Sequence, residues 1–490
     1  MQDLELHFEP FRRNTIGYDQ RFTSPYGEQR IVYADWTASG RLYRPIEDRL
    51  RDRFGPFVGN THSESSVTGL AMTLAYHEAH DIVKRHVNAS SDDLILTVGA
   101  GMTAAINKLQ RILGLKAPQG LRRYITLPES ERPVVFVTHL EHHSNHTSWY
   151  ETIADVVVVP PDDEGIVSLA ALEAQLHQYR DRPLKIGAFS ACSNVTGIFT
   201  PYHDMARLVH RAGGIALIDF AASAPYVSID MHPADDPDGY LDAVLFSPHK
   251  FLGGPGSAGV IVFNRALYHN SVPDEAGGGT VSWTNPWGQY AFLENIEARE
   301  DAGTPGFLQA IKSALAVQVK DEMTVAAMQA REHDIVPYTM DRLTAIPGVH
   351  LLAQGVRRRL AIFSFWVETV HYNLMVRLLN DRFGVQSRGG CSCAGTYGHY
   401  LLHVDPSRSK SITDRIDHGD LSDKPGWVRI SFHPSTTMAD INHTINAVAE
   451  CVAHADEWQK DYVYSNITNE YSHKDGDTGL KQRVLEWFSP

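Results

Sequence analysis

The sequence predicts an α/β protein with one large domain and a smaller C-terminal α+β domain. Apolar strand segments alternate with helical segments over residues 94–263, which is typical of a mostly parallel sheet flanked by helices on both faces. After residue 358 the order changes to strand, helix and strand, which indicates a second unit. We therefore expect an N-terminal arm over 1–30, a large domain over 31–315 and a small domain over 316–490.

The elements of the large domain follow from hydrophobic periodicity. Short apolar runs predict buried strands, and apolar residues spaced three and four apart predict helices. Strands are expected within 31–40, where a short strand ends in a turn, at 94–98, 133–140 and 156–160, within 184–197, where a strand ends in a polar turn, within 215–226, where Asp219 ends the strand, and at 243–246 and 260–264. Helices are expected near 41–58, 71–88, 99–115, 168–180 and 201–212.

The small domain is predicted in the same way. Residues 308–345 have helical spacing and lead into it. Its elements are expected as a strand at 358–367, a helix at 371–382, a short strand from 385, a strand at 426–433 and a helix at 440–455. The polar segment 403–425 is expected to be a loop, and 479–488 to be a weakly amphipathic segment that docks on the body of the protein or on a partner.

Lys250 occupies an unusual place at the end of a predicted buried strand. The strand 243–246 leads into Ser247, Pro248, His249 and Lys250, and a loop rich in glycine follows. A lysine is rarely buried unless its charge or its amine is used. A desolvated amine loses its proton more easily and can attack a carbonyl to form a Schiff base.

Other polar side chains also stand where predicted strands end. They are His142, Asn194, Asp219 and Ser247. Ligands of open α/β sheets bind at the carboxyl ends of the strands. The turn at Gly101, between a strand and a helix, presents backbone N–H groups suited to a phosphate.

Composition excludes several classes of partner. The chain has 490 residues and a net charge of -14 without a basic block, so nucleic acid and membrane surfaces are not expected partners. Neither a transmembrane run nor an apolar signal segment is expected. The four cysteines are scattered, which favours a reducing compartment, and we expect a cytoplasmic protein.

Two further motifs have the spacing of a metal site and of a nucleotide site, but their sequence context excludes both functions. His142 and His146 have zinc-helix spacing but follow a strand directly and lack the H-E-x-x-H carboxylate. Gly254, Gly256 and Gly259 form G-x-G-x-x-G, yet a strand follows where dinucleotide binding requires a helix. We expect no metal site, and we expect a tight hairpin at these glycines.

Taken together, the motifs resemble one known family. Ser247-x-His249-Lys250, the segment 141–145 (EHHSN), the turn 194–197 (NVTG), the segment 301–305 (DAGTP) and Arg388-x-Gly390-x-x-Cys393-Ala394 occur in the family's order. They resemble the class V aminotransferase family of fold type I pyridoxal 5'-phosphate (PLP) enzymes, most of all its cysteine desulfurase and selenocysteine lyase branch. The resemblance covers about residues 31–450.

The resemblance implies a role for each matching residue. Lys250 would form the Schiff base with PLP, Asp219 would pair with the ring nitrogen, and His142 would stack on the ring. Arg429, Asn194 and Arg388 would bind the substrate, and Cys393 would take its sulfur. The implied cofactor contacts are Gly101, Met102, Thr103, Asn194, Ser247, His249 and, reaching the second subunit of a homodimer, Thr280.

The chain also departs from the desulfurase pattern. Ala222 stands where the branch has glutamine, and Cys391-Ser392 replaces its common His-His. The segment between Cys393 and Arg429 is longer, and we expect its extra residues to cover the mouth of the active site. The leading hypothesis is a PLP-dependent enzyme that cleaves the C–S bond of an amino acid, with a sulfur-acceptor protein as a partner. Transamination, epimerisation, another β-elimination and a non-catalytic PLP-binding protein are the alternatives. Either Cys393 or Cys391 could be the catalytic thiol.

Overall fold

The structure is a computed structural model that describes residues 2–61, 63–476 and 478–489. The strands in chain order are β1 (Arg21–Ser24), β2 (Gly27–Arg30), β3 (Val32–Tyr33), β4 (Asp93–Val98), β5 (Val134–Thr138), β6 (Asp155–Val159), β7 (Lys185–Ser190), β8 (Ile215–Asp219), β9 (Ala243–Phe246), β10 (Gly259–Asn264), β11 (Val281–Thr284), β12 (Tyr290–Phe292), β13 (Val349–Leu351), β14 (Ile362–Val367), β15 (Val385–Gln386), β16 (Arg388–Gly390), β17 (Trp427–Ser431), β18 (Tyr462–Ser465) and β19 (Glu470–His473).

The helices surround two of the sheets that these strands form. They are α1 (Gln2–His7), α2 (Glu9–Arg13), α3 (Arg44–Arg49), α4 (Val67–His86), α5 (Met102–Ile112), α6 (Gln119–Arg122), α7 (Thr147–Tyr150), α8 (Leu169–Gln178), α9 (Tyr202–Arg211), α10 (Ile296–Arg299), α11 (Phe307–Met323), α12 (Val325–Thr344), α13 (Tyr372–Phe383), α14 (Gly395–Leu401), α15 (Pro406–Asp417), α16 (Met438–Trp458) and α17 (Leu480–Glu486). None of the described helices is both long and apolar enough to cross a membrane.

The large sheet has seven strands in the order β4-β10-β9-β8-β7-β5-β6. The five strands from β9 to β6 pair in parallel, and β10 is antiparallel to both of its neighbours. The middle strands are apolar and buried along their whole length, as expected for a sheet covered on both faces. The prediction of a mostly parallel sheet flanked by helices is confirmed.

A second, antiparallel sheet is built from the C-terminal third of the chain. Its order is β13-β14-β17-β16, and its apolar face packs with α12, α13 and α16 around a separate core. Helix α13 ends at Gly384, which has φ +70°, and a Cβ there would lie 2.0 Å from the carbonyl oxygen of Arg30. Only glycine fits this close approach, which brings β15 alongside the N-terminal strand β3.

Several expectations differ from the structure. Residues 406–417 form α15 rather than a loop, because Asp405 caps the helix and Pro406 begins it. Helix α15 buries no side chain and therefore lacks the apolar stripe that predicts helices. The G-x-G-x-x-G glycines do not form a tight hairpin, since residues 247–258 separate β9 from its antiparallel neighbour β10.

The two chain ends are also more structured than their sequences indicated. The expected arm contains α1, α2 and the hairpin β1–β2, and Phe8 is fully buried in the main core. Near the other end, β18 and β19 form a hairpin that packs against α13. Its Asn469 backbone oxygen accepts a hydrogen bond from Asn373 of α13.

Candidate active site

A cavity lies between the carboxyl ends of the parallel strands and the second, antiparallel sheet. It has a volume of about 780 Å³. Its walls include most of the residues predicted from the sequence: Gly101, Met102, Thr103, His142, Asn194, Asp219, Ser247, His249, Lys250, Arg388, Cys393 and Arg429. These residues are far apart in the chain, and the parallel sheet brings their strand ends to one edge.

Lys250 and Asp219 are the titratable pair at the base of the cavity. Lys250 ends a short 3-10 turn after β9, and burial lowers the pKa of its amine to about 8 despite the opposing effect of Asp219. Asp219 is the last residue of β8, and burial raises the pKa of its carboxyl group to about 7. A positively charged ring nitrogen beside Asp219 would favour the ionised carboxylate.

The start of α5 forms a cradle for an anion. The Met102 N–H donates to Ser247 Oγ at 2.8 Å. A Cβ at Gly101 would lie 3.0 Å from the same oxygen, so glycine keeps this space open. Thr103, in the first turn of α5, and His249 complete this side of the cavity. Helix N-termini with free N–H groups bind phosphate.

His142 lies on the loop after β5, at the side of the cavity. Its Nδ1 accepts the backbone N–H of Ser144 at 3.1 Å, which places the ring proton of the neutral form on Nε2. Burial, and next the charge of Lys250, lower its pKa to about 3. His142 is therefore a neutral aromatic ring at physiological pH, as a stacking role requires.

The neighbouring Glu141 fixes this loop, a role that the sequence analysis missed. The carboxylate is buried and accepts hydrogen bonds from Thr138 Oγ1 at 2.6 Å, the Ser190 N–H at 2.9 Å and Asn145 Nδ2 at 2.8 Å. It thereby joins the ends of β5 and β7. A carboxylate directly after a buried strand was the available signal.

Arg429 stands in the middle of β17 and is buried. Its NH1 donates to the backbone oxygen of Asn194 at 2.9 Å, and its NH2 donates to Asp35 Oδ1 at 2.9 Å. Its Nε and the Asn194 side-chain oxygen have no hydrogen-bond partner in the described part of the chain. Buried polar atoms are normally paired, so these two atoms suit a ligand.

Arg388 lines the cavity, but its guanidinium group already pairs with Asp35. Its NH2 lies 3.0 Å from Asp35 Oδ2, and its side chain is 49% exposed. Asp35 was not predicted as a site residue. Its contacts depend on β3 pairing with β15, which follows α13 far along the chain, and no local pattern indicates this pairing.

Cys393 is exposed at the cavity, on a tightly held loop. Ser392 and Cys393 have φ angles of +52° and +56°, each costing about 1–3 kcal/mol in a residue other than glycine. Asn194 Nδ2 donates to the Ser392 oxygen at 2.7 Å, and Trp427 Nε1 donates to Ser392 Oγ at 3.1 Å. Such strain persists where the surroundings hold the loop, as they do here.

Cys391 occupies a different environment. It is partly buried against the main hydrophobic core and is not among the residues that line the cavity. The geometry therefore favours Cys393 over Cys391 as the thiol that faces a substrate. Within the described residues, no group of three or more His, Cys, Asp or Glu side chains is arranged to hold a metal ion.

Three further sequence features are placed by the structure. Ala222 lines the cavity with its methyl group, where the resembling branch has a glutamine amide. Helix α15 does not line the cavity, and a cover over its mouth stays a prediction. Thr280 is buried outside this cavity, and its hydroxyl donates to the Gly277 oxygen at 2.7 Å; its contact with a second subunit stays a prediction.

The residues present fit pyridoxal phosphate. The cavity combines the partly buried amine of Lys250, the buried carboxyl group of Asp219, a neutral imidazole and a helix N-terminus beside Ser247. These are the groups needed to hold an aldehyde, a ring nitrogen, a ring face and a phosphate.

The fold and the cavity define a PLP-dependent enzyme. A family model, that of the class-V aminotransferases, matches residues 32–443. The chain therefore belongs to the aminotransferase class-V family, whose members use pyridoxal phosphate.

Curated relatives carry more specific names. A probable cysteine desulfurase of Halalkalibacterium halodurans is 27% identical over 368 residues, covering 74% of this chain and 84% of that protein. A cysteine desulfurase of Synechococcus elongatus is 29% identical over 368 residues, covering 74% of this chain and 55% of that protein.

Solved structures agree on the fold. The apo structure of the cysteine desulfurase from Thermococcus onnurineus NA1 has a TM-score of 0.71 at 20% identity and covers 91% of this chain and 98% of that one. The Escherichia coli cysteine desulfurase CsdA has a TM-score of 0.68 at 20% identity, with the same coverage.

Proposed function

We propose that this protein is a cysteine desulfurase-like enzyme that cleaves the C–S bond of an amino acid. The observation that carries the proposal is the exposed thiol of Cys393 in the same cavity as Lys250 and Arg429. A partly buried amine and an unpaired arginine donor suit an amino acid substrate, and a thiol beside them suits the transfer of sulfur.

The residues would divide the binding of cofactor and substrate. Pyridoxal phosphate, when bound, supplies an aldehyde that bonds to amines and a ring that withdraws electrons. Asp219 would hold the ring nitrogen by opposite charge, and His142 would stack on the ring. The backbone N–H groups at the start of α5, with Thr103, Ser247 and His249, would hold the phosphate.

Arg429 and Lys250 would hold the substrate and turn it over. Arg429 would bind the carboxylate through its free Nε–H, next to Asn194. The Lys250 amine, with a pKa near 8, would take the proton from Cα and return a proton to the product.

Cys393 would complete the sulfur transfer. Its thiolate would form a bond to the substrate sulfur while the Cβ–S bond breaks, and the electrons of that bond would stay on carbon, which takes a proton. The products are a persulfide on Cys393 and alanine, so atoms and electrons balance. Because Cys393 is exposed, an acceptor protein could reach the persulfide.

A comparison of the two cysteines tests this proposal. The purified holoenzyme, Cys393→Ser and Cys391→Ser are each incubated with L-cysteine, and alanine and sulfide are measured together. We expect Cys393→Ser to lose both products while keeping the absorbance of bound cofactor, and Cys391→Ser to retain them. Full sulfide release by Cys393→Ser would reject thiol-mediated desulfuration.

The second candidate is another reaction of the same family: transamination, epimerisation or simple β-elimination. Ala222 favours it, because the amide that the desulfurase branch places there is missing. In that case Cys393→Ser would keep its activity. A holoenzyme that reacts with no amino acid would instead favour a non-catalytic PLP-binding protein.

We also propose a cytoplasmic homodimer. All four cysteines are free thiols, which fits a reducing compartment. Hairpin β11–β12, next to the loop that carries Thr280, exposes the large apolar side chains Trp283, Trp287 and Tyr290, which fits a protein interface. A monomer in analytical sedimentation would reject the dimer.

A further inference from the structure

Asp35 joins two arginines that face each other on neighbouring strands. Arg388 of β16 and Arg429 of β17 are opposite partners in the antiparallel register. Asp35 Oδ1 accepts from Arg429 NH2 at 2.9 Å, and Asp35 Oδ2 accepts from Arg388 Nε at 3.1 Å. Both arginines line the cavity, whereas Asp35 is outside its lining.

The charges of this cluster limit what it can bind. Like charges directly opposite each other destabilise a strand pair, and Asp35 offsets one of them. Two guanidinium groups and one carboxylate leave a single net positive charge. This matches a ligand that brings one carboxylate to the arginines.

The hydrogen-bond donors are divided unequally between the two arginines. Arg388 directs both its Nε and its NH2 at Asp35. Arg429 keeps its buried Nε without a partner among the described residues. Arg429 thus keeps one donor for a ligand, whereas Arg388 directs two of its nitrogens at a carboxylate of the protein itself.

We propose that Asp35 is a specificity-determining residue that restricts the substrate to amino acids with one acidic group, by holding Arg388. The inference rests on the proposed function and deepens it. An amino acid with a second carboxylate or a sulfinate needs a second guanidinium, and Asp35 competes for that guanidinium. The alternative is that Asp35 only stabilises the two strands.

The first experiment measures ligand preference rather than turnover. Holoenzyme and Asp35→Asn are titrated with L-alanine and with L-aspartate, and binding is followed by the absorbance of the bound cofactor. We expect the wild type to prefer alanine. In Asp35→Asn the ratio of the two Kd values should shift toward aspartate by about tenfold, as expected for one freed charge-assisted hydrogen bond.

The matched control removes the arginine that the substitution releases. In the double variant Asp35→Asn/Arg388→Gln the shift toward aspartate should disappear, because no second guanidinium is available. An equal change in the affinities for both amino acids in Asp35→Asn would overturn the proposal, since a purely structural residue affects both ligands alike.

A second variant keeps the proposal testable if Asp35→Asn does not fold. Arg388 is half exposed, so Arg388→Gln should fold. In this variant the negative charge of Asp35 is paired with Arg429 alone and offsets the positive charge that binds the substrate carboxylate. Alanine should therefore bind about threefold to tenfold more weakly. Unchanged alanine affinity would overturn the proposal.

These experiments distinguish a failure of the proposed function from a failure of the proposed role of Asp35. A cofactor-loaded wild type that binds neither amino acid would reject the proposed function, and this inference with it. A wild type that binds alanine, with a preference unchanged in Asp35→Asn, would reject the role of Asp35 alone.

Discussion

Two walls of the cavity are built on different principles. The strand-end wall (His142, Asp219 and Lys250) belongs to the parallel sheet, and burial is the largest cause of each pKa shift. The arginine–cysteine wall (Arg388, Cys393 and Arg429) belongs to the second sheet and the loop after β16, where Asp35 and the strained loop set the geometry.

The difference shows how each wall acquires reactivity. On the strand-end wall, removal of water makes an amine easier to deprotonate and a carboxyl harder to ionise. On the arginine–cysteine wall, charges are paired and a thiol is exposed, so hydrogen bonds decide what binds. Substitutions on the first wall should therefore change protonation and the binding of PLP, and those on the second should change specificity and sulfur transfer.

Replacing Lys250 should have the largest effect. Lys250→Ala removes the amine that handles the Cα proton, and we expect turnover of amino acids to fall by about 10³-fold or more. A suitable control is Lys320→Met, because Lys320 is also buried, with its pKa lowered by burial to about 7, but it does not line the cavity. Equal losses in both variants would show that the effect comes from folding.

The pKa of Lys250 predicts a pH profile for the uptake of PLP by the apoprotein. The reactive form is the neutral amine, and burial lowers its pKa from 10.5 to about 8. The rate should therefore rise by about tenfold per pH unit below pH 8 and level off above it. A rate that still rises at pH 10 would mean that the amine is not desolvated.

On the same wall, Asp219→Asn should make the apoprotein more stable at pH 8 while it weakens the function of the cofactor. Burial raises the pKa of this carboxyl group from 3.8 to about 7, so its ionisation opposes folding increasingly between these values and fully above pH 7. In the apoprotein, the Asp219→Asn substitution should raise the melting temperature by several degrees at pH 8 and by less at pH 5. It should weaken cofactor function, and a lower melting temperature at pH 8 would contradict this account.

Loosening the arginine–cysteine wall should have the smallest effect. Trp427→Phe removes the hydrogen bond to Ser392 Oγ, worth about 1 kcal/mol. We expect sulfur transfer to slow by a few-fold, while the absorbance of bound cofactor stays unchanged. A changed cofactor spectrum would show that the two walls are coupled.

The strand-end wall was largely predictable from the sequence. Lys250, Asp219 and His142 each stand at the end of an apolar run that predicts a strand or within four residues after it, and parallel strands place such residues at one edge. The motif order then indicated the family. Helix α15 was not predicted because it has no buried face. The role of Glu141 in fixing the loop was not predicted because its hydrogen-bond partners lie on two different strands.

By itself, the sequence determined the class of fold, the family and the residues at the strand ends, because hydrophobic periodicity and local motifs are properties of neighbouring residues. Only the tertiary structure decided that Asp35 meets Arg388 and Arg429, that Cys393 rather than Cys391 faces the cavity, and that the Nε of Arg429 stays free of partners within the described chain. These facts depend on β3 packing beside the small domain, and contacts between residues almost 400 positions apart leave no local pattern.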